Sequence, residues 1–260
     1  MSYQTLIVDD GDPFVTVTIN RPDKHNALSE LVLGELAELC ASLACRPSRG
    51  MILTGAGERA FVAGADIKAM AEMSPAQGAA FGRLGQRAMD LVERLPFPVI
   101  ACVDGFAFGG GCELAMSADF IYATERAVFG QPEVKLGLVP GFGGCVRLIR
   151  LVGAARAKEL IYAGRDVPAR EAERIGLVNR VFPSRAVMLE AAHATLLEIA
   201  ARSPVAVALC KSVLVDLDGR STADQLALEA DAFEGVFDSD DKREGVAAFL
   251  ARRPPQFTGR

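Results

Sequence analysis

The sequence predicts an α/β protein that becomes all-helical in its last quarter. Three observations carry this reading. Up to residue 130, short β-branched runs alternate with amphipathic helical stretches, the pattern of a sheet covered by helices. From Gly143 onward, helix formers take over. Half of the 260 residues are hydrophobic, enough to bury one large core.

The elements follow in order. Residues 3–9 and 14–19 flank the turn-forming Asp10-Gly11-Asp12-Pro13 and read as a β-hairpin. After a loop with Arg21-Pro22, Ser29 is a good N-cap for an amphipathic helix reaching about Ala44. Met51 to Thr54 is a short buried strand, and Ala60 to Gly64 continues as extended apolar chain. Asp66 is a natural N-cap for a helix from Ile67 to Met73. Ser74-Pro75 starts another, with proline at its first position, running to about Arg94. Pro98 to Val103 is strand-like, Cys112 to Ser117 helical and Phe120 to Ala123 again strand-like. Helices are expected over 143–151, 154–162 and 169–175, with a last short strand from Leu177 to Phe182. Beyond Ser184 the chain reads as helix over 184–202, 204–217, 222–236 and 240–252. Ser221 and Asp224 have the capping-box spacing that starts the third of these. This helical quarter is either a second domain or an oligomerisation arm.

Composition narrows the functions. A net charge of −5 argues against a nucleic-acid-binding surface. Six cysteines without a CxxC pair read as reduced thiols of a cytosolic protein. His25 and His193 are the only histidines and lie far apart, which leaves neither a zinc site nor a Ser-His-Asp triad. Residues 1–10 show no export or organelle signal. The most apolar stretch, Leu95 to Met116, is broken by Asp104, Glu113 and several glycines, so it is not a membrane span. A soluble cytoplasmic protein without a bound metal is expected.

Two glutamates point to chemistry. Glu113 follows Gly109-Gly110-Gly111-Cys112, and Glu133 ends Phe129-Gly130-Gln131-Pro132. Carboxylates in such apolar, glycine-rich surroundings are desolvated, and a desolvated pair can hold opposite protonation states near neutral pH. Taken singly, Glu113 reads equally well as an acid complementing a helix N-terminus, and Glu133 as a loop acid paired with Lys135 or an arginine. Gly55-Ala56-Gly57-Glu58-Arg59-Ala60 has the dinucleotide spacing GxGxxA, but extended chain rather than a helix follows it, so a Rossmann site is not expected. Gly64-Ala65-Asp66-Ile67-Lys68 and Gly109-Gly110-Gly111 both precede helices. Their unpaired N–H groups would form an oxyanion hole if they converged on one carbonyl.

Together these residues carry a resemblance. Phe61-Val62-Ala63-Gly64-Ala65-Asp66-Ile67-Lys68-Ala69-Met70, the stretch Asp104 to Ala115 and Phe129-Gly130-Gln131-Pro132-Glu133 resemble the crotonase superfamily, and within it the enoyl-CoA hydratases. Asn20-Arg21-Pro22, Asn26-Ala27-Leu28 and Arg253-Pro254-Pro255-Gln256-Phe257 also resemble family segments, so the likeness runs the length of the chain. It implies a spiral of ββα units over residues 1–195, then a helical trimerisation region over 196–260, with trimers pairing into hexamers. The N–H groups of Ala65 and Gly110 would hold the thioester oxygen of an acyl-CoA. Lys24, Ala27, Ala63, Ala65, Asp66, Ile67, Lys68 and Gly110 would line the coenzyme A and substrate site. Glu113 and Glu133 match the two carboxylates that add water across a 2-enoyl thioester, with coenzyme A as part of the substrate and no separate cofactor. A branched or dicarboxylic enoyl-CoA, with Arg83 and Arg87 as partners for a distal carboxylate, is an alternative. So is a non-catalytic coenzyme A- or RNA-binding scaffold. One departure from the family pattern stands out: Cys145-Val146 replaces the usual Thr-Gln before Arg147-Leu148.

Overall fold

The protein is described by a computed structural model covering residues 3–260. Strands β1 (Leu6–Asp10) and β2 (Phe14–Ile19) form the expected antiparallel hairpin. Helix α1 (Glu30–Leu43) starts where Ser29 Oγ accepts the Val32 N–H, and it carries the chain across to β3 (Gly50–Gly55), parallel to β2. After β3 the chain does not return at once. It first enters a short strand, β4 (Ala60–Val62), then helices α2 (Ile67–Met70) and α3 (Pro75–Glu93). The cycle repeats with β5 (Val99–Val103), β6 (Phe106–Phe108) and α4 (Gly110–Met116). It repeats again with β7 (Phe120–Thr124), β8 (Val128–Gly130), α5 (Gly144–Val152) and α6 (Ala154–Ala163). Each turn therefore contributes one strand to each of two sheets before turning helical, which is the ββα spiral.

The first sheet has the order β1-β2-β3-β5-β7-β10, where β10 (Arg180–Phe182) follows β9 (Val167–Pro168) and α7 (Ala169–Ile175). From β2 onward it is parallel and covered on both faces, so its strands read as continuous apolar runs. Alternate side chains go to opposite sides. Met51, Leu53, Val99 and Ala101 join the main core with α1 and α3. Ile52, Ile100 and Cys102 pack instead against Met188, Ala192 and Leu196 of α8 (Arg185–Ala200).

The second sheet has the order β4-β6-β8-β9, with β4, β6 and β8 parallel. Its strands are two or three residues long, too short for an alternation pattern, and β6, β8 and β9 are not among the expected strands. It decides where the chemistry goes. The segments leaving β4, β6 and β8 carry Ala65, Gly110 and Glu133, so three loops remote in sequence emerge side by side at the carboxyl ends of neighbouring strands.

Helix starts mostly follow local chemistry. Ser74 and Gln77 form a full capping box at α3, each side chain receiving the other's backbone N–H. At α10 (Thr222–Val236) Ser221 accepts the Asp224 N–H, but the Asp224 carboxylate takes the Ser221 hydroxyl, so the box is only half closed. Asp66 departs from expectation. The helix after it ends at Met70, and the Asp66 side chain caps nothing; it pairs with Arg21 at 3.2 Å while its carbonyl accepts the Ala69 and Met70 N–H groups. The expected division at 195 falls within α8. Helices α9 (Pro204–Asp216), α10 and α11 (Asp240–Leu250) follow, and α10 buries none of its residues in the single chain.

Candidate active site

The first wall of the site is a pair of backbone segments. Residues 25–28 run beside 63–66: the Ala63 N–H donates to the His25 carbonyl, Leu28 to Gly64, and Asp66 to Leu28. Arg21 spans the same two segments, donating to the Ala27 carbonyl and pairing with Asp66. The structure thus brings Lys24 and Ala27 next to Ala63–Lys68 although some forty residues separate them. Arg21 was absent from the expected site residues; its place in Asn20-Arg21-Pro22 is the only signal the sequence offers.

The second wall is the entrance to α4. Gly109 has φ +49°, a conformation glycine adopts freely, and a Cβ there would lie 2.7 Å from Glu133 Oε1. At Gly111 a Cβ would fall 1.9 Å from the Val62 carbonyl oxygen, so α4 can lie against β4 only with hydrogen at this position. Two of the three consecutive glycines are thus required by the protein's own packing. The N–H groups of Ala65 and Gly110 donate to no other described residue.

Glu113 and Glu133 face the space between the walls. Glu113, on the first turn of α4, is 1% exposed, and its Oε1 accepts the N–H groups of Phe142 (2.8 Å) and Gly144 (2.6 Å). Burial pushes its pKa above the usual carboxylate range, while those two donors and the Arg147 charge pull it back. Glu133 opens a 3-10 turn, Glu133–Leu136, and is half-buried. Burial first, then the charge of Glu113, raise its pKa to about 7 against the pull of its own backbone N–H. Among the described residues, neither Lys135 nor an arginine pairs with it. Gln131, buried at 1% exposure, is the neighbour the sequence reading missed. The surrounding donors and acceptors orient its amide nitrogen toward Glu133, 2.9 and 3.1 Å from the two carboxylate oxygens. Its signal in the sequence was a polar side chain within an apolar stretch, two residues before Glu133.

Both carboxylates and the free backbone of Ala65 and Gly110 line one cavity of about 350 Å3. The rest of its lining is apolar, chiefly Met70, Phe81, Leu138, Val139 and Phe142, together with Ala63 and Ile67. Lys24, Ala27, Asp66 and Lys68 lie outside the cavity, on the neighbouring surface. Cys145 and Val146 are exposed at the start of α5 and do not line it. Burial and the two glutamates push the Cys145 thiol upward, which disfavours a nucleophilic thiolate. Arg83 and Arg87 are exposed on α3, also outside the cavity.

The fold and this site define an α/β spiral protein with two carboxylates facing unpaired backbone donors in an apolar pocket. The family model described as enoyl-CoA hydratase/isomerase matches residues 12–260. A crotonyl-CoA hydratase of Syntrophomonas wolfei is 41% identical over 258 residues, covering 99% of both chains. A short-chain-enoyl-CoA hydratase of Clostridium acetobutylicum is 44% identical over 266 residues, covering 97% of both. The crystal structure of an enoyl-CoA hydratase from Bacillus anthracis superposes with a TM-score of 0.94 at 40% identity, covering 99% of this chain and 100% of that one. The chain belongs to the enoyl-CoA hydratase/isomerase family.

Proposed function

We propose that this chain is a 2-enoyl-CoA hydratase, a carbon–oxygen lyase that adds water reversibly and syn across the 2,3 double bond. The observation that carries the reading is the meeting of two differently held carboxylates with two free N–H donors in one apolar cavity. The Ala65 and Gly110 N–H groups receive the thioester oxygen, where negative charge grows as water attacks. One such donor is worth about 3 kcal/mol in the transition state. Glu113 takes a proton from water as its oxygen bonds to C3. Glu133 delivers its proton to C2, and the double bond becomes single. A proton then returns from Glu113 to Glu133 by way of solvent. The reverse sequence dehydrates a 3-hydroxyacyl-CoA, and neither direction consumes a redox or metal partner. Coenzyme A enters as part of the substrate, against Lys24, Ala27 and the Ala63–Lys68 segment.

The apolar lining and the exposed, outward Arg83 and Arg87 favour an uncharged acyl chain over a dicarboxylic one. Apolar side chains left open on the C-terminal helices, Leu214, Leu226, Phe233 and Phe249, support assembly into a trimer or a pair of trimers. No described helix is long and apolar enough to cross a membrane, and the six free cysteines suit a reducing cytoplasm, where such an enzyme would serve fatty acid metabolism.

The test is the loss of conjugated-thioester absorbance when crotonyl-CoA meets the enzyme, compared with methylglutaconyl-CoA. A large preference for crotonyl-CoA is expected. Coenzyme A binding without turnover of any enoyl-CoA would defeat the assignment and revive a scaffold.

A further inference from the structure

Arg147 lies on α5 and does not line the cavity, yet the segment that grips Glu113 is fastened to it. Its Nε donates to Glu93 Oε2 at 3.0 Å, and its Nη1 donates to the Phe142 carbonyl at 3.2 Å. The same Phe142 gives its N–H to Glu113. The Phe142 peptide is therefore held at both ends, by Arg147 on its carbonyl and by Glu113 on its nitrogen. Its ring is fixed as well: it meets Phe81 edge-on at 5.3 Å and fills the space a Cβ on Gly85 would need, 2.1 Å away.

Gly143, whose φ of +108° itself calls for glycine, also leaves Arg147 room. A Cβ there would lie 2.3 Å from Arg147 Nη1. The loop thus leaves the guanidinium a clear path to the Phe142 carbonyl. Stability alone does not explain the arrangement. The Arg147 and Glu93 side chains are 11% and 20% exposed, and a buried ion pair gains little over apolar packing of the same shape.

We propose that Arg147, anchored by Glu93, is a positioning residue for the hydration reaction: it sets the Phe142–Gly144 segment so that its N–H groups receive the Glu113 carboxylate in reacting position. This rests on the hydratase reading above. Charge adds to geometry, because Arg147 also favours ionised Glu113. The other titratable groups facing Glu113 are Glu133, Cys112 and Cys145. Around the strut itself stand Arg150, 3.6 Å from Glu93 Oε1 and paired with Asp218, and Asp119, which is paired with Lys211.

The experiment measures kcat, KM and pH profiles for crotonyl-CoA in Arg147→Met, Arg147→Lys and Glu93→Gln, with thermal unfolding of each. Arg147→Met is expected to lower kcat roughly 10- to 100-fold, the scale of a reacting group misplaced by about 1 Å, with KM little changed. Its acidic limb should move to higher pH, because Glu113 loses a favourable charge. Arg147→Lys should return that limb toward the wild-type position but recover only part of kcat, since an ammonium cannot bind Glu93 and the Phe142 carbonyl as a fork does. Glu93→Gln should lower kcat while moving the acidic limb the opposite way, because Arg147 is then uncompensated. Limbs that stay put with kcat within about twofold of wild type, whatever happens to the melting temperature, would overturn the inference. If Arg147→Met does not fold, the direction of the limb in Glu93→Gln decides. A wild-type enzyme that turns over no enoyl-CoA refutes the hydratase reading and this inference with it. An active wild type with indifferent variants refutes the inference alone.

Discussion

Glu113 and Glu133 share a cavity but are held in opposite ways. Glu113 is the more deeply buried, yet it receives two backbone N–H groups from the Phe142–Gly144 segment and feels a nearby guanidinium. Among the described residues, half-buried Glu133 meets only Gln131, its own backbone N–H and the repulsion of Glu113. Burial would neutralise both carboxylates. Two backbone N–H groups and a guanidinium favour charge on Glu113, against one backbone N–H on Glu133, which suits Glu113 to the base's role in the proposed reaction.

Removing each carboxylate gives the largest expected effect. Glu113→Gln and Glu133→Gln should each lower kcat by about 10²- to 10⁴-fold while leaving coenzyme A affinity nearly unchanged. Near-wild-type turnover in both variants would dissolve the comparison altogether. Next come the two glycines that face the two acids. A methyl in Gly109→Ala would press within 2.7 Å of Glu133 Oε1, and one in Gly144→Ala within 2.9 Å of Glu113 Oε1. Each should cost roughly 10- to 100-fold in kcat by displacing one carboxylate. Gly109→Ala should also lower the melting temperature more, because only that position has a positive φ.

The pH profile sharpens the contrast. The proposed mechanism needs Glu113 charged and Glu133 protonated, so kcat/KM should fall on the alkaline side as Glu133 loses its proton near pH 7. The acidic limb belongs to protonation of Glu113. Residual activity of Glu133→Gln should lack the alkaline limb and keep the acidic one. A smaller effect is on stability. The pKa of Glu133 is raised in the folded state, so its ionisation opposes folding as pH climbs from about 4.5 toward 7. Glu133→Gln should accordingly melt higher than wild type at pH 8 and alike at pH 4; the same melting difference at both pH values would contradict this. Smallest of all, Arg83→Ala and Arg87→Ala should leave kcat/KM for crotonyl-CoA within about twofold, and a tenfold loss would place a further charge in the site.

Much of this was legible before the structure. Ser29, Ser74 and Ser221 mark helix starts because a capping side chain is a local matter, settled within a few residues. The two glutamates stood out because charge among glycines and apolar residues is rare. What escaped was non-local. Strands β6, β8 and β9 are made by their neighbours rather than by their own two or three residues. Asp66 had the identity of a cap, but Arg21, forty-five residues earlier, offered it a stronger partner. The grip of Phe142 and Gly144 on Glu113 runs through backbone N–H groups, which every residue has and no side chain announces.

The short sheet has a consequence for dimensions. Neighbouring strands stand about 4.8 Å apart because hydrogen bonding fixes that distance. Loops after β4, β6 and β8 therefore present their groups at a pitch inherited from the ladder, on the scale that separates a thioester oxygen from the carbons undergoing reaction. The pocket is gauged by its backbone. Side chains can be exchanged within it to alter what it does, but to alter its span the protein would have to unzip a sheet.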